Sequence, residues 1–185
     1  MAGFGEGFES ALAAAKAGEE WAWTALYRYL SGPVQGYLRL RGSSDPEDLT
    51  SETFLQVAKG IRSFEGDEPA FRSWVFVIAH RRLIDERRKA SRRPSLAATP
   101  EEAPDPDRFR GGDVEDEAMA RLGSAQVEAT LAPLTKDQKE VVLLRIVAGL
   151  SVSETAEVVK KSEGAVRILQ HRAVATLRRR MEEGA

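Results

Sequence analysis

Between Pro94 and Gly112 this chain offers nothing that a folded domain can bury, and that interruption constrains its architecture before any helix is placed. Proline, glycine and acids dominate the stretch, and no apolar periodicity survives in it. The wider segment 99–118 carries Glu101, Glu102, Asp105, Asp107, Asp113, Glu115, Asp116 and Glu117 against only Arg108 and Arg110. Like charges with no core to collapse on repel one another and stay extended. The sequence is therefore expected to divide into residues 1–93, a flexible acidic linker at 94–117, and residues 118–185. Each flank is the size of one small domain.

Both flanks read as helical. Sustained two-residue alternation is missing, whereas apolar residues recur at three- and four-residue spacing. The expected fold class is all-α, with two small helical domains. Residues 8–17 and about 19–40 form the first helices, and "SGPVQG" (31–36) is expected to break or kink the second. "GSSDPEDLTSETFLQVAKGI" supplies a turn, acids in a first turn where the helix dipole favours them, and an apolar series Leu49, Phe54, Leu55, Val57, Ala58 and Ile61. "FEGDEP" (64–69) reads as a loop, followed by a long helix from about Phe71 or Ser73 to Lys89. In the second flank "TKDQ" and "SVSE" match capping boxes, Thr135 with Gln138 and Ser151 with Glu154. The first opens a helix through Val147 that stops at Gly149. The second opens a short helix to about Lys160, and a turn "KSEG" leads into a last helix ending near Met181.

Several function classes drop out. Without cysteine there are no disulfides or thiolate metal sites, and His80 and His171 lie far apart in sequence, so neither metal nor cofactor is expected. Asp45, Glu47, Asp48 and Glu52 read as helix capping and a charged partner surface rather than an acid–base site. No nucleophile, glycine-rich phosphate loop or histidine pair accompanies them, and no enzyme is expected. No apolar run reaches membrane-spanning length and the N-terminus lacks a signal-peptide pattern, so the expected location is the cytoplasm.

The net charge of −2 argues against a nucleic-acid partner only on average, because the charges are segregated. From Lys160 to Arg180 seven basic residues face Glu163 alone, and Phe71, Trp74 and Phe76 precede Arg81, Arg82, Arg87, Arg88, Lys89, Arg92 and Arg93. Helix, tight turn, short helix, turn and longer basic helix is helix-turn-helix arithmetic. On the last helix Val166, Leu169, Ala173 and Leu177 form one buried stripe. Gly164, Arg167, Ile168 and His171 fall opposite it, with Arg172 at the edge, in the half of such a helix that enters a major groove. A three-helix bundle with a solvated basic face gives the same periodicity, and an exposed Ile168 among cations is what it explains least. In the first flank aromatics beside cations suit single-stranded DNA, where rings stack on bases and cations hold phosphates. The core reading stands beside it, because Trp74, Val75, Val77, Ile78, Leu83 and Ile84 outnumber what one exposed face needs. A stand-alone duplex-binding regulator and a non-initiating helical interaction module remain open on residue pattern alone.

"DPEDLTSETFLQVAKGI", "FRSWVFVIAHRRLIDERRK" and "LAPLTKDQKEVVLLRIVAGLSVSETAEVVKKSEGAVRILQHRAVATLRR" together resemble a bacterial RNA polymerase sigma factor of the extracytoplasmic function (ECF) group, from about Phe8 to Met181 with the linker omitted. The resemblance implies a region 2 bundle, a region 4 helix-turn-helix, and a role in directing core RNA polymerase to promoters and melting the −10 element. It implies that Asp48, Leu49, Glu52, Thr53, Phe54 and Gln56 dock on the polymerase clamp helices, while region 4 meets the flap. Phe64, Gly66, Asp67 and Phe71 match the loop that captures a flipped non-template base. Trp74, His80, Arg81, Arg82, Arg87 and Arg88 match the helix that holds the melted −10 strand. Ser162, Gly164, Arg167, Ile168, His171 and Arg172 match positions facing the duplex −35 element, and the linker matches the segment that threads toward the RNA exit path. Ile168 and Leu169 stand where many members have a Ser-Arg pair, and Gln170 where they have leucine. The resemblance also implies an anti-sigma factor as partner and association with the nucleoid when active.

Overall fold

The computed structural model describes residues 4–5, 7–92 and 126–183, so the expected linker lies outside the described residues. Every regular element among the described residues is helical, as the spacing implies. They are α1 (Phe8–Ala17), α2 (Glu20–Leu40), α3 (Pro46–Gly60), a 3-10 turn (Ile61–Ser63), α4 (Glu68–Arg92), α5 (described over 126–131), α6 (Lys136–Ile146), α7 (Val152–Val159) and α8 (Glu163–Glu183).

In the N-terminal group α2, α3 and α4 surround a core of Leu26, Leu30, Val34, Tyr37, Val57, Phe71, Phe76 and Leu83, with α1 packed on α2. Of the break or kink expected at 31–36, the break does not occur, since α2 runs through Pro33 as one helix. Proline costs this helix a backbone bond, yet Leu30, Val34, Tyr37 and Leu38 flank it fully buried, and packing of that face outweighs the local loss. Helix α4 also begins earlier than composition suggests, at Glu68. The Asp67 carboxylate accepts the Ala70 N–H at 2.9 Å, and Pro69 sits in the first turn, where its missing N–H has no helical partner to lose. Glu68 anchors that start by accepting from the Phe4 N–H (2.9 Å), the Tyr29 hydroxyl (2.5 Å) and Arg72 (2.7 Å). The helix is described through Arg92, past the expected end at Lys89.

In the C-terminal group both capping boxes form as expected: Thr135 with Gln138 opens α6, and Ser151 with Glu154 opens α7. Between them Gly149 turns the chain at φ 67°, and the Leu150 N–H reaches the Leu144 carbonyl at 3.0 Å. Lys160 takes the left-handed conformation that ends α7 (φ 53°, ψ 46°). The stripe expected on α8 is present, with Val166 and Ala173 fully buried and Leu169 and Leu177 partly so. The two groups touch: α4 packs on α7, and a single apolar cluster runs from Leu26 and Phe76 through to Leu143 and Val158.

Candidate nucleic-acid interface

The C-terminal surface is built on α8. Ser162 caps its start, its hydroxyl accepting from the Ala165 N–H at 3.2 Å. Burial of Val166 and Ala173 turns Gly164, Arg167, Ile168, His171 and Arg172 outward together, and Ile168 is 54% exposed. An apolar side chain so exposed among cations has no internal partner to explain it. Arg167 is held in the free protein by Glu163, one turn back at 2.8 Å. Contacts from α6 tie down this helix and the turns that precede it. Arg145 of α6 donates to Gln170 Oε1 at 3.2 Å and to the Leu150 carbonyl, and Lys161 pairs with Asp137 at 3.0 Å. Gln170, where a leucine is frequent in the resembled family, thus faces inward and is bonded to α6.

The N-terminal surface has two parts. Phe64, Phe71 and Trp74 form one aromatic cluster: the Phe64 and Trp74 rings stack at 5.0 Å and 25°, and Phe71 lies 5.4 Å from Phe64 and 5.9 Å from Trp74. Phe64 and Phe71 are buried, and Trp74 is half-buried. Gly66 closes the loop at φ 149°, a conformation that disfavours a side chain, and a Cβ there would stand 2.8 Å from Ala70 Cβ. Asp67 is exposed and already serves as the cap of α4. The aromatics are thus the wall and floor of a short exposed loop, not free platforms.

Farther along α4, Arg81 and Arg88 are exposed, with Arg88 only 3.9 Å from Asp85. Arg87 donates to the Arg41 carbonyl and Arg82 lies 3.5 Å from Glu52 of α3. On α3 the expected polymerase-facing residues fall on two sides. Asp48, Glu52 and Gln56 lie outward, while Leu49, Thr53 and Phe54 face the core, Phe54 against the Tyr27 ring at 4.8 Å. Leu55 and Ala58, expected in the apolar series, are instead exposed, Leu55 at 63%. Only one of the adjacent Phe54 and Leu55 can face inward. Leu55 and Tyr27 are thus outward apolar residues that pattern reading did not mark.

Sequence reasoning also missed Glu140 of α6. It is 7% exposed, and its Oε1 accepts from the Tyr37 hydroxyl (3.3 Å) and lies 3.2 Å from Arg41 and 2.9 Å from His80 Nδ1. Burial pushes the Glu140 carboxyl up, but the His80 hydrogen bond and the Arg41 charge outweigh it and hold the group below the usual range. Burial, reinforced by the Glu140 charge, raises the Tyr37 hydroxyl well above its ordinary value. The detectable signal was an acid sharing the helical face of Leu143 and Leu144. Among the described residues no group of carboxylates and histidines is placed to hold a metal ion, and no helix is long and apolar enough to cross a membrane.

Comparison with known proteins gives the same two parts in the same order. Residues 21–93 match the family model for Sigma-70 region 2, and residues 124–177 that for Sigma-70 region 4. The chain is 39% identical over 173 residues to ECF RNA polymerase sigma factor BldN of Streptomyces coelicolor, covering 92% of this chain and 64% of that protein. It is 34% identical over 139 residues to ECF RNA polymerase sigma factor ShbA of Streptomyces griseus, covering 74% and 72%. With ECF RNA polymerase sigma factor SigX of Bacillus subtilis it shares 28% identity over 165 residues, covering 85% and 78%. Among solved structures, CnrH in complex with the cytosolic domain of CnrY superposes with a TM-score of 0.67 over 97% of this chain and all of that one, at 24% identity, a likeness of fold.

Proposed function

The chain belongs to the ECF RNA polymerase sigma factors, and from that premise we propose that it binds core RNA polymerase, brings it to promoters with −10 and −35 elements, melts the −10 region and starts transcription of a stress or developmental regulon. The observation that carries this reading is the succession of region 2 and region 4 matches along one chain. A stand-alone helix-turn-helix regulator would not need the first of them.

The proposed division is residues 1–93 for polymerase and −10 binding, 94–117 as the acidic linker and 118–185 for the −35 element. Asp48, Glu52 and Gln56 of α3 meet the clamp helices directly, with Leu55 as their apolar neighbour, while buried Leu49, Thr53 and Phe54 support them from beneath. A flipped base enters the loop closed by Gly66 and Asp67, against walls made by Phe64, Phe71 and Trp74. The cations Arg81, Arg82, Arg87 and Arg88, with the His80 ring beside them, hold the freed backbone, which single-stranded binding requires beside stacking surfaces. On α8, Ser162, Gly164, Arg167, Ile168, His171 and Arg172 face the −35 duplex. Arginine reads guanine through two bonds, and isoleucine meets a thymine methyl. Region 4 rests on the polymerase flap.

The protein acts without catalysis, metal or cofactor of its own, in the cytoplasm and on the nucleoid when engaged. An anti-sigma factor is its expected regulator, consistent with a fold seen in CnrH bound to the cytosolic domain of CnrY. The test is permanganate reactivity of thymines around the −10 element, with core polymerase and with or without this protein. Reactivity that depends on the protein supports melting, and protected thymines at a bound promoter would contradict it.

A further inference from the structure

Residues 4–8 read "FGEGF", two phenylalanines around glycine, a motif that neither the polymerase face nor the DNA faces use. Gly5 holds the left-handed conformation (φ 88°), and the Phe8 N–H donates to its carbonyl at 3.2 Å. That turn lays Phe4 beside α1, with its ring edge-on to Phe8 at 5.8 Å and to Tyr29 of α2 at 5.3 Å. The Phe4 N–H then reaches α4, donating to Glu68 at 2.9 Å across 64 positions of chain.

Glu68 is the residue at which the 64–67 loop becomes α4. Three donors converge on its Oε1: the Phe4 N–H, the Tyr29 hydroxyl at 2.5 Å and Arg72 at 2.7 Å. Arg72 also donates to the Tyr29 hydroxyl and lies over that ring, so its guanidinium is committed to this cluster and is not offered to a phosphate. A second link runs through Phe8, whose ring lies 5.6 Å from Phe71, the residue packed against Phe64 and Trp74. The N-terminal segment thus supports the start of α4 and the aromatic wall together. Glu65, Gly66 and Asp67 stay exposed between those two supports.

We propose that Phe4 and Glu68 are positioning residues for base capture: Phe4, seated between Phe8 and Tyr29, ties down Glu68 and so holds the 64–68 loop in the shape that receives a flipped base. The proposal rests on the reading of that loop as the base pocket. Neither residue touches DNA in this account. Extruding a base from the stack costs free energy, and a loop that had to order itself at the same moment would add to that cost. Fixing both ends of the loop beforehand removes the added part. The bonds that fix it suit the task, because hydrogen bonds to a carboxylate are stronger than those between neutral groups. Edge-on aromatic contacts set the direction from which Phe4 approaches.

The experiment uses the full chain bound to purified bacterial core polymerase. The probes are labelled single-stranded oligonucleotides carrying the non-template −10 sequence of a promoter mapped from transcript 5′ ends, with each base replaced in turn by an abasic site. Fluorescence anisotropy gives the affinity for each, and the position where the abasic site costs the wild type most is the captured base. The readout is the ratio of intact to abasic affinity at that position. The variants are Phe4→Ala, Glu68→Ala and Glu68→Gln, the last keeping an oxygen to accept from the Phe4 N–H and the Tyr29 hydroxyl. Circular dichroism checks folding, and Phe4→Ala, at a partly buried residue outside the main core, keeps the test open if Glu68→Ala does not fold.

The ratio is expected to fall several-fold in Phe4→Ala and Glu68→Ala and to recover in part in Glu68→Gln, while affinity for the abasic oligonucleotide and for core polymerase stays at the wild-type level. An unchanged ratio in Phe4→Ala overturns the proposal. Equal loss of affinity for intact and abasic strands also overturns it, because the contacts then support the fold and not the capture. If the wild type itself distinguishes no position, the reading of the loop as a base pocket fails. Amide hydrogen exchange over residues 64–70 of the free chain then decides the remainder: faster exchange in Phe4→Ala shows that Phe4 holds the loop, and unchanged exchange shows that it does not.

Discussion

Gly60→Ala isolates the aromatic arrangement behind the −10 loop without removing any group proposed to touch DNA or polymerase. Gly60 ends α3 at φ −100°, ordinary for any residue, so alanine brings no backbone strain. Helix propensity alone would favour the change by up to about 1 kcal/mol, less at a helix end. Against that, the new Cβ would stand 2.8 Å from Trp74 Cζ2 and 3.2 Å from Cη2. The indole cannot simply swing away, because Phe64 stacks on it at 5.0 Å and Phe71 flanks it at 5.9 Å. Overpacking of this kind costs about 1–3 kcal/mol. The balance is a loss of about 1 kcal/mol, or a melting temperature lower by about 2–4 °C for a chain of this size. Urea unfolding gives the stability, and a Trp21→Phe, Trp23→Phe background makes the emission report on Trp74 alone. A gain of about 1 kcal/mol with unchanged emission would refute the reasoning, because the ring then would not rest on Gly60.

Trp74→Ala should impair open-complex formation more than binding to core polymerase. Equal loss of both would mean that its contacts with Phe64 and Phe71 serve packing alone. Arg167→Ala should weaken −35-dependent promoter binding by about 1–3 kcal/mol in competition assays, and unchanged promoter choice would remove Arg167 from base reading. Lys160→Gly should raise stability by about 1 kcal/mol in urea, because Lys160 holds a left-handed conformation that glycine adopts freely (φ 53°). Acid should destabilise the fold. Hydrogen bonds and neighbouring cations outweigh burial to depress Glu68 and Glu140, and hydrogen bonds from Ser43 and Ser44 do so for Glu86. A depressed folded-state value means the stabilisation is present above the ordinary 4.5 and is lost as pH falls through the folded-state values. Urea midpoints that do not fall between pH 6 and pH 3 would contradict those contacts.

Features with local causes were legible in the sequence. The capping boxes at Thr135 and Ser151 need only a residue three positions on, and both form. The α8 stripe follows from periodicity alone, and with it the outward face carrying Arg167, Ile168 and His171. What depends on distant partners was not legible. Pro33 reads as a break or kink, and that the helix continues through it follows only once the burial of Leu30, Val34 and Tyr37 around it is known. Gly66 and Pro69 read as loop, yet Pro69 lies in the first turn of α4, whose start Glu68 fixes through Phe4 and Tyr29. A family motif on α3 likewise does not separate Asp48, Glu52 and Gln56, which face outward, from Leu49, Thr53 and Phe54, which support them. Glu140 was invisible because Tyr37, its hydrogen-bond donor, lies 103 residues away in the chain.

The central claim is promoter-directed initiation, and run-off transcription on fragmented genomic DNA tests it most directly. Purified bacterial core polymerase is used with and without this protein, and transcript 5′ ends are mapped. The account predicts new ends that share a two-part upstream motif. No new ends, with core binding intact, would contradict it.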